Sequence, residues 1–368
     1  MKTRMAVLAA AAVLAIAGSS GAAELRYGTA TPDAAPLHKG VVVPVLKSIE
    51  KDTGGAVTFA IFPGGQLINF KTALKGIRDG VVDSGFVGFS LVANEMPHAS
   101  MVATMLPFSI DPLAATGAFN DLLLVSCKEC IEDLKKNGVV HVFGGAGAPY
   151  YLACKSPVKT VADLKGLKIG TVNPTLSRWA EALGMAPAKV DLTEFAQALQ
   201  FGRIDCATVP MAWMKDYGLT NIVKSVVDQA AGVPIGASAL MINRGKWDAL
   251  SKKDRQAIMR LGPAGDYAFP TVGFLESDKQ VRRSAEAKGI AFVKMADVAA
   301  AWRAFQKSET PAIVKVAASR GIKDPEAFVD RMIAVIEKWH VKLKPQFGDD
   351  REKFIAVLQR EVYDRIPQ

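Results

Sequence analysis

The four histidines of this chain are the residue type best suited to acid–base catalysis or metal binding, but their spacing matches neither use. His38, His98, His141 and His340 lie far apart, without a neighbouring nucleophile or a metal-ligand spacing. The sequence contains no G-x-S-x-G elbow, no H-E-x-x-H motif and no phosphate-binding loop. We therefore expect no catalytic residues, no metal and no cofactor, while an enzyme whose site is assembled between distant segments stays open as an alternative.

The four cysteines are placed so that they could form disulfides. Cys127 and Cys130 fall in "NDLLLVSCKECIEDLKKNG", a helical pattern in which Cys127 and Ile131 would share one face. A thioredoxin-type motif needs a strand-to-helix turn and a zinc site needs two further ligands, and neither context is present. We expect two core-facing helical cysteines or one local disulfide here, with Cys154–Cys206 as a second possible bridge.

The first 23 residues have the pattern of a secretory signal peptide. Lys2 and Arg4 form a basic start, Met5–Ala17 is an apolar run too short to span a bilayer, and small residues precede Glu24. Without those two basic residues the chain has 43 basic and 36 acidic residues, a net charge of +7. These charges are scattered rather than clustered, so we predict an exported, periplasmic protein that does not bind nucleic acid.

Short apolar strands alternate with amphipathic helices along the rest of the chain, a pattern typical of an α/β protein. At 368 residues the chain exceeds the usual size of one core and suggests two domains. The stretches "ALKGIRDGVVDSGF" and "ALQFGRIDCATV" both read as a helix, a glycine, an aspartate and a buried strand. Because this order occurs once in each half, we predict two similarly built lobes.

Four segments of the chain resemble one known family. "FPGGQL" with "GVVDSGFVG", then "SPVKTVADLKGLKI", "TEFAQALQFGRIDCATVP" and "INRGKWDALSKKDRQAI", follow the order and separations seen in TRAP transporter periplasmic solute-binding proteins of the DctP type. The resemblance implies a type II-like, two-lobed periplasmic binding protein fold with hinge strands and a long bracing helix. We divide the chain into a signal peptide (1–23), lobe I (24–145 and 232–275), lobe II (146–231 and 276–345) and a helical C-terminal extension (346–368).

The arginine clamp of that family is missing from this sequence. Family members commonly hold a substrate carboxylate with an arginine in "KIRVP", where this chain has Gly170 in "KIGTV". A second family arginine falls at or near Pro149, and the asparagine of "DGxxNP" is replaced by Val209. A buried carboxylate without a partner is costly, so we expect the usual dicarboxylate to be excluded unless another cation substitutes. Arg178 is the candidate cation, and it could equally be a solvated helix arginine.

Aromatic, sulfur-containing and small polar side chains surround the predicted crevice instead. Large side chains of this kind stack on flat or apolar ligands, and the polar ones could orient the solute, although each could equally be a core, turn or cap residue. We expect Phe89 and Trp213 to face the pocket because both follow strand ends. The predicted ligand-binding residues are Thr29, Thr31, His38, Phe89, Ser90, Tyr150, Tyr151, Gly170, Asn173, Arg178, Thr208, Met211 and Trp213.

The resemblance implies a receptor that captures a solute by lobe closure and delivers it unchanged to a small and a large membrane permease subunit. The aromatic crevice and the lost clamp together predict a small organic acid or an aromatic-bearing compound as the solute. The alternatives are an exported enzyme with its site between the lobes, and a ligand-sensing co-receptor on the same fold.

Overall fold

The computed structural model describes residues 22–366. The predicted signal peptide (1–23) lies outside the described residues except for its last two positions. The described strands are β1 Ala23–Gly28, β2 Val57–Phe62, β3 Ser84–Gly88, β4 Val139–Ala146, β5 Tyr151–Cys154, β6 Lys168–Gly170, β7 Ala186–Ala188, β8 Cys206–Val209, β9 Ser225–Val227, β10 Ile235–Asn243 and β11 Ala291–Val293.

The described α-helices cover the faces of two sheets. They are α1 Val43–Asp52, α2 Ala73–Arg78, α3 Pro112–Asp121, α4 Lys128–Lys136, α5 Pro174–Ala182, α6 Phe195–Gln200, α7 Met211–Asp216, α8 Arg244–Ala249, α9 Lys252–Pro270, α10 Glu276–Ala287, α11 Ala296–Ser319, α12 Pro325–Glu337, α13 Lys344–Phe347 and α14 Arg351–Glu361. No helix among residues 22–366 combines the length and the apolar character needed to cross a bilayer.

The strands form one sheet in each predicted lobe, which confirms the two-lobed α/β prediction. The first sheet has the order β2-β1-β3-β10-β4, with β10 antiparallel to both of its neighbours. The second sheet has the order β11-β9-β5-β8-β6-β7, in which β6 runs parallel to β7 and β8. The carboxyl ends of parallel strands meet at one edge of a sheet, where α/β proteins usually bind ligands.

An aspartate joins two strands in each sheet, at the position that the repeated phrase of the sequence indicates. Before β3, the Asp83 carboxylate accepts the backbone N–H of Arg26 on β1 at 2.9 Å. Before β8, the Asp205 carboxylate accepts the backbone N–H of Lys168 on β6 at 3.0 Å. The two lobes therefore use the same local device to position neighbouring strands.

Two antiparallel connecting segments link the sheets. The segment between β4 and β5 pairs with the segment between β9 and β10. The Gly147 N–H donates to the Pro234 carbonyl at 2.9 Å, the Tyr150 N–H to the Gly232 carbonyl at 3.1 Å, and the Ala231 N–H to the Tyr150 carbonyl at 2.8 Å. Such short paired strands are where a two-lobed protein can bend, because a change in the backbone angles of a few connecting residues is enough to move one lobe against the other. They are the hinge strands that the family resemblance implies.

Two long helical segments also cross between the lobes. The first runs from α9 through a π-helical segment, Thr271–Leu275, into α10, with Pro270 at the transition. Proline and π-turns are recognised causes of helix bending. The second is α11, whose Trp302 packs in the cluster around the second sheet and whose Ile313 packs in the largest core cluster, on the first sheet's side. We call α11 the bracing helix, and the α9–α10 segment is a second helical connection between the lobes.

The C-terminal helices pack on the first sheet's side, which differs from the predicted lobe boundary. The sequence-based division places residues up to 345 in lobe II, yet Phe328 of α12, and Trp339 and Phe354 in the segments that follow it, lie in the same core cluster as α3. Gly117 of α3 leaves room for the Trp339 ring, since a Cβ at Gly117 would lie 2.1 Å from Cε3 of that ring. The helical periodicity of this region could not show which lobe its apolar face would cover.

All four cysteines are paired in the structure, as Cys127–Cys130 and Cys154–Cys206. The second bridge links β5 to β8, where the two cysteines are direct partners in the antiparallel ladder. The predicted continuous helix around Cys127 is wrong, because a π-helical segment ends at Ser126 and α4 begins at Lys128. Cys127 is the N-cap residue of α4 instead. The apolar periodicity continues across this position and so does not indicate a helix boundary there.

Candidate functional site

A groove of about 760 Å³ lies at the carboxyl ends of β6 and β7, at the edge of the second sheet. Its walls come from two parts of the second lobe: the turn after β6 with the start of α5, and the end of β7 with the segment that follows it. Its lining residues are Thr171, Val172, Asn173, Pro174, Ser177, Arg178, Pro187, Ala188, Lys189, Val190, Asp191 and Glu194. The volume falls in the range of small-molecule sites, and five of these twelve side chains are aliphatic or proline.

The turn into α5 positions the polar wall of the groove. The Asn173 side chain accepts the Leu176 N–H at 2.9 Å and so caps the helix, and Pro174 takes the first helical position, where no amide hydrogen is needed. The hydroxyl groups of Thr171 and Ser177 lie 2.6 Å apart across the turn. These contacts fix a row of hydroxyl and amide groups that face the groove.

Arg178 lines the groove and is held by the bracing helix. Its Nε donates to Oε1 of Glu309 at 2.7 Å and its Nη2 to Oε2 at 2.6 Å. The Glu309 side chain on α11 is 3% exposed, whereas that of Arg178 is 39% exposed. These bonds raise the pKa of Arg178 above its usual value. The sequence suggested either a ligand-binding or a solvated arginine, and the structure shows a third arrangement, an arginine paired with a buried carboxylate.

Gly170 does not open into the groove, contrary to its predicted position on the crevice wall. A Cβ at Gly170 would lie 2.7 Å from Cε1 of Phe195 and 3.1 Å from Cδ1 of Ile204. Phe195, fully buried at the start of α6, therefore fills the space into which a side chain at 170 would project. An arginine introduced at 170 alone has no room there, because its Cβ would already be too close to the Phe195 ring.

Three aromatic side chains form a cluster beside the hinge strands. The ring of Trp213 on α7 lies 6.0 Å from that of Tyr150 and 5.9 Å from that of Tyr217, in edge-to-face arrangements. Burial raises the pKa of Tyr150 to about 12, so its hydroxyl stays protonated. Trp213 is only partly buried, and its role in ligand stacking stays a prediction.

Helix α7 is anchored through a buried carboxylate whose ionisation is costly. Oδ1 of Asp278 on α10 accepts the Ala212 N–H at 2.7 Å, and burial raises the pKa of Asp278 from 3.8 to about 6. The folded protein therefore holds this proton more tightly than the unfolded chain, so the free energy of unfolding should fall as pH rises from about 4 to about 6.

Replacing Asp278 with asparagine should remove that pH dependence. Because one pKa unit corresponds to about 1.4 kcal/mol, the wild type should lose up to about 3 kcal/mol relative to Asp278→Asn between pH 4 and pH 7. Urea unfolding at several pH values measures the difference. Parallel stability curves for the two proteins would show that Asp278 has an ordinary pKa.

The predicted first-lobe residues lie apart from the groove. Phe89 is fully buried, with its ring 5.5 Å from that of Phe119, so it packs in the core and not on a crevice wall. The Thr29 hydroxyl accepts the Thr31 N–H at 3.0 Å within a turn, and Ser90 is exposed. His38 is buried with no hydrogen-bond partner for either ring nitrogen among the described residues.

The remaining predicted residues belong to the sheet and its covering helix. The buried hydroxyl of Thr208 donates to the Gly170 carbonyl at 3.3 Å and ties β8 to β6. Met211 is buried in the cluster that includes Phe195, and Tyr151 is partly buried on β5. Of the thirteen predicted residues, the described groove includes Asn173 and Arg178.

Glu309 is the residue of the site that the sequence prediction missed. It lies on the buried stripe of α11 formed by Trp302, Phe305, Ile313 and Ala317 at spacings of three or four residues. An acidic residue on an otherwise apolar helix face needs a partner when it is buried. Glu309 interrupts the apolar stripe of α11, and this interruption is the feature of the sequence that indicates a buried ion pair.

A serine–histidine–asparagine constellation lies inside the first lobe, away from the groove. Nδ1 of His141 is 2.7 Å from the Ser238 hydroxyl, and its Nε2 is 2.8 Å from Oδ1 of Asn120. All three side chains are at most 1% exposed, and burial lowers the pKa of His141 to about 3. The serine is too deeply buried for a substrate to reach it. We therefore interpret the network as a structural element that joins α3, β4 and β10.

Comparison with known proteins identifies a matching family over most of the chain. Residues 27–315 match the family model described as bacterial extracellular solute-binding protein, family 7, with the short name DctP. Among curated relatives, the 2,3-diketo-L-gulonate-binding periplasmic protein YiaO of Escherichia coli is 26% identical over 263 residues, which cover 70% of this chain and 77% of the relative.

Solved structures of similar fold come from the same class of protein. A TRAP periplasmic solute-binding protein from Desulfovibrio salexigens, crystallised as an open complex, has a TM-score of 0.74 at 23% identity and covers 87% of this chain and 97% of its own. A TRAP solute-binding protein from Rhodoferax ferrireducens, in complex with copurified benzoate, has a TM-score of 0.69 at 20% identity, with coverages of 86% and 98%. At these identities the likeness concerns the fold.

Proposed function

The chain belongs to family 7 of the bacterial extracellular solute-binding proteins, the DctP family of TRAP transporter receptors, and we propose on that basis that it captures a small organic acid or aromatic-bearing solute between its lobes. It binds this solute and releases it chemically unchanged. The observation that carries the proposal is the groove at the carboxyl ends of β6 and β7, in a lobe that is joined to its neighbour by hinge strands. Closure of the lobes would cover this groove and exclude water from the solute.

The chemistry of the groove fits a solute with an apolar body and a polar end. Val172, Pro187 and Val190 supply apolar surface, while Thr171 and Ser177 supply hydroxyl groups. The first lobe supplies the opposite wall on closure, through residues near Thr29, Thr31 and Ser90. Tyr150, Trp213 and the neighbouring hinge strands form the end of the closed site.

The cellular setting follows from the same membership. Relatives carry the description periplasmic, and the basic start and short apolar run of the sequence favour export to that compartment. We propose that the loaded, closed receptor docks on a small and a large permease subunit of a TRAP-type transporter. We place lobe I at the first sheet with the C-terminal helices and lobe II at the second sheet.

A thermal-shift panel tests the proposal. The purified mature chain is heated with benzoate, mandelate, pyroglutamate, succinate, a neutral sugar and an amino acid, each at millimolar concentration. A receptor should be stabilised by at least one organic acid, since a ligand at a hundred times its Kd adds about 2.7 kcal/mol to the free energy of unfolding. Mass spectrometry should then recover that acid unchanged. Recovery of a reaction product, or stabilisation by none of the acids, would contradict the proposal.

A further inference from the structure

Arg178 offers a solute only part of its hydrogen-bonding surface. A guanidinium group can bind a carboxylate side-on through Nε and Nη2 or end-on through Nη1 and Nη2. Glu309 occupies the side-on edge, and the Thr175 hydroxyl lies 3.3 Å from Nη2, on the end-on side. Among residues 22–366, no protein group hydrogen-bonds to Nη1, which leaves Nη1 for a ligand.

The charges around the groove also limit what can bind there. Lys189 is the second cation of the lining, while Asp191 and Glu194 are acidic, and Glu194 lies within 3.5 Å of Arg203. Since Glu309 neutralises Arg178, the groove offers a solute little net positive charge. A dianion would gain one shared arginine and meet nearby carboxylates, whereas a monoanion needs only one cationic contact.

The ion pair also connects the groove to the boundary between the lobes. Glu309 lies three residues after Gln306, whose side-chain amide donates to the Pro107 carbonyl of the first lobe at 2.6 Å. The Glu309 carboxylate is buried and cannot turn away to water. Arg178 is therefore held in place even before a solute arrives. Arginine is well suited to such a fixed, planar contact.

We infer that the Arg178–Glu309 pair determines the solute specificity of this receptor: Nη1 of Arg178 takes one carboxylate, and Glu309, by neutralising Arg178 beside two acidic lining residues, disfavours a second negative charge on the solute. The inference rests on the proposed function and narrows its solute class to monocarboxylates with an apolar body. Arg178 contacts the solute, and Glu309 is a positioning residue that acts through Arg178.

Titration calorimetry on three variants tests this inference, with benzoate, mandelate and succinate as probes. In Glu309→Gln the negative charge beside Arg178 is lost, so succinate should bind at least about tenfold more tightly than to the wild type. The matched control is Glu181→Gln on α5, which removes an exposed carboxylate near Arg178 that is not among the groove's lining residues, and it leaves the Arg178–Glu309 pair intact. It should change succinate affinity less than about threefold.

Arg178→Gln gives a second readout that does not depend on the stability of Glu309→Gln. It should weaken whichever monocarboxylate the wild type binds by about tenfold or more. Equal succinate gains in Glu309→Gln and Glu181→Gln, no gain in either, or unchanged monocarboxylate binding in Arg178→Gln would overturn the inference. Failure of the proposed function is a different result, since the wild type would then bind none of the acids in the panel.

Discussion

Replacing Gly117 with alanine should lower the free energy of unfolding by about 3 kcal/mol or more. The added Cβ would lie 2.1 Å from Cε3 and 2.3 Å from Cζ3 of Trp339, so the indole must move. Its Nε1 donates to Oδ2 of the buried Asp121 at 2.9 Å, and moving the ring breaks this bond. Overpacking a core costs about 1–3 kcal/mol, and a hydrogen bond to a charged group adds about 1.5–3 kcal/mol.

The control for this prediction is Gly245→Ala in α8. There the closest neighbour of an added Cβ is Oδ1 of Asn243 at 3.3 Å, and α8 lies on the surface of the first lobe. Urea unfolding should give a change within about 1 kcal/mol for this variant. If Gly117→Ala were as mild as the control, the C-terminal helices would not be packed on α3 as described.

Replacing Cys154 and Cys206 together with alanine should cost about 4 kcal/mol. The bridge closes a loop across 52 residues, and the loop-entropy relation assigns about 4 kcal/mol to a loop of that length. It also joins β5 to β8, the two neighbouring strands at the centre of the second sheet. We therefore expect a lower melting temperature, with the loss concentrated in the second lobe.

The Cys127–Cys130 bridge provides the comparison within the same chain. It spans a sequence separation of three, for which the same relation gives about 2 kcal/mol. Calorimetric scans of the two double-alanine variants should therefore rank Cys154–Cys206 as the more stabilising bridge. The reverse order would mean that local cap geometry at α4 matters more than loop closure.

The architecture was predictable because it depends on repeated local patterns. The alternation of apolar strands with glycine-terminated helices indicated an α/β fold, and the aspartates at 83 and 205 marked corresponding positions in both lobes. The segment "DLKGLKI" located β6 and the groove that follows it. These features depend on neighbours in sequence, which a pattern can report.

The site was less predictable because its contacts join residues distant in sequence. The absence of an arginine at 170 was visible, but Phe195 as the side chain that fills its space was not. Likewise Arg178 was recognised as a candidate cation, while its partner Glu309 lies 131 residues further along the chain. Phe89 follows a strand end as a pocket residue would, yet the fold packs it against Phe119. Helix and strand periodicity report that a face is buried and do not report what covers it.

The central claim is that the solute binds in the groove at the ends of β6 and β7. It is tested most directly by calorimetric titration of two tryptophan variants with the solute, one of which has its indole ring in the groove. Ser177→Trp places an indole among the lining residues, and Ala182→Trp places the same ring on the exposed side of α5, outside the groove. The organic acid that most stabilises the wild type should bind Ala182→Trp normally and Ser177→Trp at least about a hundredfold more weakly. Equal affinity for both variants, at equal melting temperatures, would contradict the assignment of solute binding to this groove.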